Sequence, residues 1–102
     1  MSDTIHLTQS ERAEVARILA EHLPPGISIR IFGSRAGGTP KPWSDLDLAL
    51  DGPQPLSLAD MAELAEAFDE SALPFKVDLV DRHTVSAGFA AIIDAGSLPL
   101  PR

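Results

Sequence analysis

A chain of 102 residues has room for a single domain over 1–102, enough to bury roughly two-thirds of its unfolded surface in one two-layer core. Its apolar share of 44% is that of an ordinary globular protein, no apolar run nears the ~20 residues that span a bilayer, and the first residues lack the pattern of a secretory signal. With no cysteine and a net charge of −7 whose basic residues are scattered, disulfides, thiolate metal sites and unaided duplex binding are excluded, and a soluble cytoplasmic protein is expected.

Thr8 opens the first predicted helix, and Glu11 three residues on completes a capping box. Val15, Ile18, Leu19 and Leu23 then recur at helical spacing, with His22 on the same stripe, until Pro24-Pro25-Gly26 ends the run. Ile27 to Phe32 alternates with period two and predicts a half-buried strand. Gly33 to Ser44 is rich in Gly, Pro and Ser and reads as a loop with a short helical turn at its start. Asp45 to Asp51 alternates again, with Leu46, Leu48 and Leu50 on one face and Asp45, Asp47 and Ala49 on the other. Ser57 caps a second helix with a Met61, Leu64, Ala65, Phe68 stripe, and Lys76 to Val80 is a third strand. Thr84 is expected to cap a last helix, with Val85, Phe89, Ile92 and Ile93 inward and Gly96 as its C-cap. Pro99 and Pro101 leave a short tail, whose Leu98 and Leu100 suggest a contact surface for a homo- or hetero-oligomer. The order helix, strand, strand, helix, strand, helix predicts an α+β fold: a small mixed sheet with helices mainly on one face.

Alternation also sorts the chemistry. The isoleucines of the first strand, the leucines of the second, and Val77 and Leu79 can all face the helices. The opposite face then carries Arg30, Phe32, Asp45, Asp47, Lys76 and Asp78. Asp45 and Asp47 would leave one face about 6–7 Å apart at the backbone, with Asp78 about 5 Å to the side. Three converging carboxylates repel unless a cation sits among them, and hard oxygen ligands suit Mg²⁺, with Mn²⁺ equally accepted. Two such ions about 3.5–4 Å apart can clamp the attacking and leaving oxygens of a phosphoryl displacement. Taken alone, the D-x-D pair is equally compatible with the solvated face of an edge strand.

The segment before it narrows the choice. Glycine at 33 lets backbone approach a ligand, the amides and Ser34 hydroxyl that follow can donate to phosphate oxygens, and Arg35 adds a planar cation. Lys41 stands further along the loop, as a solvated residue or as another reach toward phosphate. Trp43 fits a cap over the sheet edge better than a stacking platform for a base. His6, His22 and His83 show no ligand spacing, and Asp51 and Asp81 read as solvated or capping groups at strand ends.

Gly33-Ser34, ten residues, then Asp45-Leu46-Asp47 resembles the signature of the DNA polymerase β-like nucleotidyltransferase superfamily. The string GSRAGGTPKPWSDLDLAL over 33–50, followed by VDLVD over 77–81, resembles its smallest branch, the minimal nucleotidyltransferases. Gly37 departs from the side chain the branch often carries there, which weakens one phosphate contact. The resemblance implies two metal ions on Asp45, Asp47 and Asp78, and a nucleotide held by Gly33, Ser34, Arg35 and Ser44. It implies transfer of NMP, AMP from ATP above all, to an acceptor hydroxyl, with Asp78 helping to deprotonate it. It also implies pairing with a small helical HEPN toxin, the nucleotidyltransferase acting as an antitoxin that places AMP on a tyrosine. A stand-alone enzyme acting on a small molecule or RNA end, and an antitoxin that neutralises by binding alone, are the alternatives.

Overall fold

The architecture comes from a computed structural model in which residues 4–101 are described. Helix α1 (Gln9–His22) leads into strand β1 (Ser28–Phe32), and a single 3₁₀ turn follows at Gly33–Arg35. Strand β2 (Leu46–Asp51), helix α2 (Leu58–Asp69), strand β3 (Val77–Asp81), helix α3 (Ala87–Gly96) and strand β4 (Leu98–Leu100) complete the chain. The sheet order is β3-β2-β1-β4. β1 is antiparallel to both β2 and β4, whereas β2 and β3 run parallel, joined through α2.

The starts of the helices follow from local chemistry. The Thr8 hydroxyl accepts from the Glu11 amide while Glu11 Oε1 accepts from the Thr8 amide, so the expected capping box is complete. Ser57 caps α2 by accepting from the Asp60 amide. The third helix begins two residues later than expected: Ser86, not Thr84, accepts from Phe89 N, because the Thr84 hydroxyl is turned back to donate to the Asp81 carbonyl. At its other end the cap is Ser97, with Gly96 still inside the helix.

The core lies where alternation places it. Ile29, Ile31, Leu46, Leu48 and Leu50 are buried against Val15, Ile18 and Leu19 of α1 and Leu64 and Phe68 of α2. Two of the three helices therefore cover one face. The third takes the other: Phe89 meets the Phe32 ring edge-on at 5.8 Å between centroids, and Phe32 is in register with Asp47 on the face away from the leucines. That crossing changes which residues of α3 are inward. Ala90 and Ile93 are buried, Phe89 and Val85 are half-buried, and Ile92 is exposed rather than part of the stripe.

The tail also differs from the reading of it as a short extension. Leu98–Leu100 is an edge strand, and Leu100, opposite Ile29, is buried against the core rather than offered as a contact surface. Pro99 hides such a strand in sequence; an edge tolerates it because the missing amide can face away from the sheet. Among the described residues, no helix is long and apolar enough to cross a membrane.

Candidate active site

At the end of the sheet where β1 stops and β2 and β3 begin, backbone pairing gathers the acidic residues. Asp47 and Asp78 are direct partners in the parallel register, so both side chains leave the same face of adjacent strands. Asp47 is only partly exposed, and its carboxyl is pushed above its ordinary pKa, first by burial and then by the negative charges of Asp78 and Asp45. Asp45 itself precedes β2 rather than lying in it, and is exposed. Asp78 is partly exposed and pairs with Lys76, whose Nζ lies 3.3 Å from Oδ1.

Opposite Asp47, at the end of β1, lies Gly33, with φ +77. A β-carbon here would collide with Asp47 Oδ2, so the carboxylate fills the space that any other residue would need. The turn after it closes with one bond, Ala36 N to Gly33 O at 3.1 Å, which uses neither the Ser34 amide nor its hydroxyl. Ser34 is exposed beside the acidic residues, and its side chain makes no hydrogen bond among the described residues. A free Ser34 hydroxyl and the acidic residues thus adjoin across a single glycine.

Arg35 departs most from expectation. It is 4% exposed, and its guanidinium points inward. Nε donates to Ser44 O at 3.0 Å, Nη1 to His6 O at 2.8 Å, and Nη2 to Lys41 O and Pro42 O at 3.2 Å each. The Phe75 ring lies 4.1 Å from the guanidinium carbon. With its donors occupied by carbonyls, Arg35 is a tie within the loop. Ser44 belongs to the same tie: its hydroxyl accepts from Lys41 N at 2.9 Å. Gly37, at φ +83, lets the loop reverse and donates to Thr4 O.

Other candidates resolve similarly. Trp43 is 67% exposed, so it does not cap the sheet edge; the Lys41 ammonium lies 5.8 Å from its ring centroid. Arg30 is drawn to the end of α3, donating to the Ser97 hydroxyl and carbonyl. Asp81 is a capping group as expected, but a buried one. The part played by the N-terminal segment was invisible in sequence: Ile5 bridges to Ala36, and His6 both donates to and accepts from Arg35. Its only signal was a pair of apolar residues, Ile5 and Leu7, ahead of the helix cap.

The acidic end fits divalent cations by its donor set: oxygen atoms only, one of them partly desolvated and raised by like-charge neighbours that a cation would relieve. No three His, Asp or Glu side chains among the described residues are drawn together closely enough to hold a metal ion. Asp78 and Lys76 line a concavity of about 400 Å³ shared with Met61 and Asp69. The larger concavities lie elsewhere, one of about 630 Å³ between α1 and Ala72–Pro74, another of about 730 Å³ behind the proline-rich loop.

Comparison with known proteins points the same way. The family model of the nucleotidyltransferase domain matches residues 12–99. The chain is 41% identical over 85 residues to the probable protein adenylyltransferase MntA of Haemophilus influenzae, covering 83% of this chain and 75% of that one. Among solved structures, a toxin–antitoxin complex with AMP-PNP is similar at a TM-score of 0.74 and 28% identity, over 88% of this chain and 72% of that one. The MNT antitoxin in complex with a tri-AMPylated HEPN toxin of Shewanella oneidensis is similar at 0.69 and 25%, over 93% and 72%. A match that runs from α1 into β4, around a phosphate turn and facing aspartates, leaves one conclusion: this chain belongs to the nucleotidyltransferase family.

Proposed function

We propose that this nucleotidyltransferase is an antitoxin that transfers AMP from ATP to a tyrosine hydroxyl of a HEPN-type toxin in the cytoplasm. The observation that carries the chemistry is the in-register pair of Asp47 and Asp78 set against Gly33, whose absent side chain is replaced by the Asp47 carboxylate. The choice of acceptor rests on the likeness to MntA and to the complexes with HEPN toxins. A net charge of −7 suits a basic protein partner better than a polyanionic RNA end.

In this mechanism the Ser34 hydroxyl and the amides of the Gly33 turn hold the β- and γ-phosphates, so the α-phosphorus faces the acidic end. Asp45, Asp47 and Asp78 would hold two Mg²⁺ ions, or Mn²⁺, and these would supply charge neutralisation of the triphosphate and Lewis-acid polarisation. Asp78 accepts the acceptor hydroxyl proton as that oxygen attacks the α-phosphorus. The bond to the bridging α–β oxygen breaks, and pyrophosphate leaves with the electron pair. Lys76 stands beside this carboxylate, its Nζ 3.3 Å from Asp78 Oδ1. Arg35 and Ser44 contribute through the loop they hold, not through contact with phosphate.

The test is incubation of the purified chain with α-labelled ATP, magnesium and a HEPN-type protein. Label on a tyrosine of that protein, lost in the Asp45→Asn, Asp47→Asn double variant, is the expected result. Label appearing instead on a small molecule or an RNA end makes it a stand-alone transferase. Toxin neutralisation that survives the double substitution makes it an antitoxin acting by binding alone.

A further inference from the structure

We infer that Arg35 is a positioning residue for nucleotidyl transfer: from inside the protein it sets where the phosphate turn stands relative to Asp45. The inference rests on the nucleotidyl-transfer reading of the acidic site.

Residues 36–44 connect two parts of the site that must face one substrate, Ser34 at one end and Asp45 at the other. Two residues of this loop, Pro40 and Pro42, lack amides, so it cannot hold its shape by a regular backbone ladder. Three of its carbonyls accept from one side chain, and that of Lys41 accepts from the Ser44 amide as well. Arg35 donates to residues 41, 42 and 44 and, in the same plane, to His6 of the N-terminal segment. Ser44 is the residue immediately before Asp45, so the bond to its carbonyl fixes the peptide that carries the first acidic residue. The Phe75 ring on the guanidinium face ties this knot to the segment just ahead of β3, two residues from Val77 and three from Asp78. One planar group thus touches the backbone next to Asp45, shares the turn with Ser34, and rests on the approach to Asp78.

A flexible ammonium cannot do this. Four carbonyls spread around a plane match the fixed fork of a guanidinium, whereas a lysine has one point of charge with three tetrahedral donors. The cost of burying an arginine without a carboxylate is offset only because its donors are used. Misplacement by about 1 Å of a group that orients substrate costs as much as ~100-fold in rate, and this tie spans the two ends of the site.

Trp43, the one tryptophan of the chain, lies in the loop between two of the carbonyls that Arg35 holds, and reports on loop order independently of catalysis. The experiment compares the full chain with its Arg35→Lys and Arg35→Gln variants by Trp43 fluorescence anisotropy, circular dichroism, and kcat and KM for ATP with the HEPN-type acceptor. In Arg35→Gln we expect lower anisotropy and a kcat reduced about 10- to 100-fold, with KM for ATP changed less than about 3-fold. Arg35→Lys should restore charge but recover less than about 3-fold of kcat. A rise in KM for ATP of about 10-fold at constant kcat and constant anisotropy overturns the inference and makes Arg35 a phosphate ligand. Unchanged kcat and anisotropy in Arg35→Gln overturn it as well. Should that variant not fold, Phe75→Leu, which loosens the guanidinium and leaves its donors, must lower both anisotropy and kcat for the inference to stand. Wild-type chain that transfers no AMP sinks the nucleotidyl-transfer reading, while the anisotropy arm still decides whether Arg35 orders the loop.

Discussion

Asp47 and Asp81 lie on neighbouring parallel strands, both withdrawn from water, yet they meet opposite surroundings. Asp81, opposite Leu50, faces the helix layer at 5% exposure, where Oδ2 accepts from Leu56 N at 2.7 Å and Oδ1 from His83 N at 2.9 Å. Its charge is matched by amide donors, and it ties the segment before α2 to the turn after β3. Asp47, opposite Asp78, faces the other way, into two further carboxylates and a glycine. One end of the ladder satisfies its acid with the protein's own donors. The other leaves an acid raised above its ordinary pKa by burial and by the negative charges of Asp78 and Asp45. Burial of a carboxylate is therefore no mark of function by itself; what surrounds it is.

Removing the charge at the demanding end should have the largest effect. Asp47→Asn should lower AMP transfer by about 10³-fold, worth roughly 4 kcal/mol of barrier, without reducing stability in denaturant. A variant that transfers at more than about a tenth of the normal rate would separate Asp47 from the chemistry. At the satisfied end the effect should fall on the fold instead. Asp81→Ala leaves two amides unpaired and should cost about 2–4 kcal/mol in urea unfolding, with kcat of the folded fraction retained. Equal loss of activity at both positions would erase the distinction between them.

Gly33→Ala sharpens the comparison because it alters Asp47 without touching its charge. A left-handed backbone and a collision with the carboxylate predict a stability loss of about 1–2 kcal/mol, and displacement of Asp47 should lower transfer at least tenfold. Melting temperature and labelled-ATP assays read the two losses separately.

The smallest effect is in pH. Asp47 binds its proton more tightly folded than unfolded, so between its ordinary and raised pKa values the native state holds the extra proton. Its contribution to stability is therefore present at the acidic side of that window and lost as pH rises through the raised value. Magnesium should reverse the penalty near neutral pH, adding about 1 kcal/mol when it exceeds its dissociation constant several-fold. Both the slope and the magnesium shift should shrink in Asp47→Asn, as measured by thermal melts across pH.

The order of helices and strands, the Thr8 and Ser57 caps and the leucine face of β2 were all legible in the residues, because each depends on neighbours within a few positions: a hydroxyl three residues from an amide, or a side chain every second residue. The shared face of Asp47 and Asp78 was legible for a related reason, since alternation limits each strand to two choices. The inward course of the Arg35 side chain was not legible, because an arginine after a Gly-Ser turn has the same local pattern whether it reaches out or folds in. Only the carbonyls of His6, Lys41, Pro42 and Ser44, brought round it by the chain's return, decide the matter. Strand β4 was missed likewise, its pairing with β1 lying about 70 residues away in sequence, and so was the crossing of α3 to the acidic face. Periodicity assigns faces and ends; which groups satisfy a buried donor, and which elements cover an edge, are long-range contacts that the folded chain alone brings together.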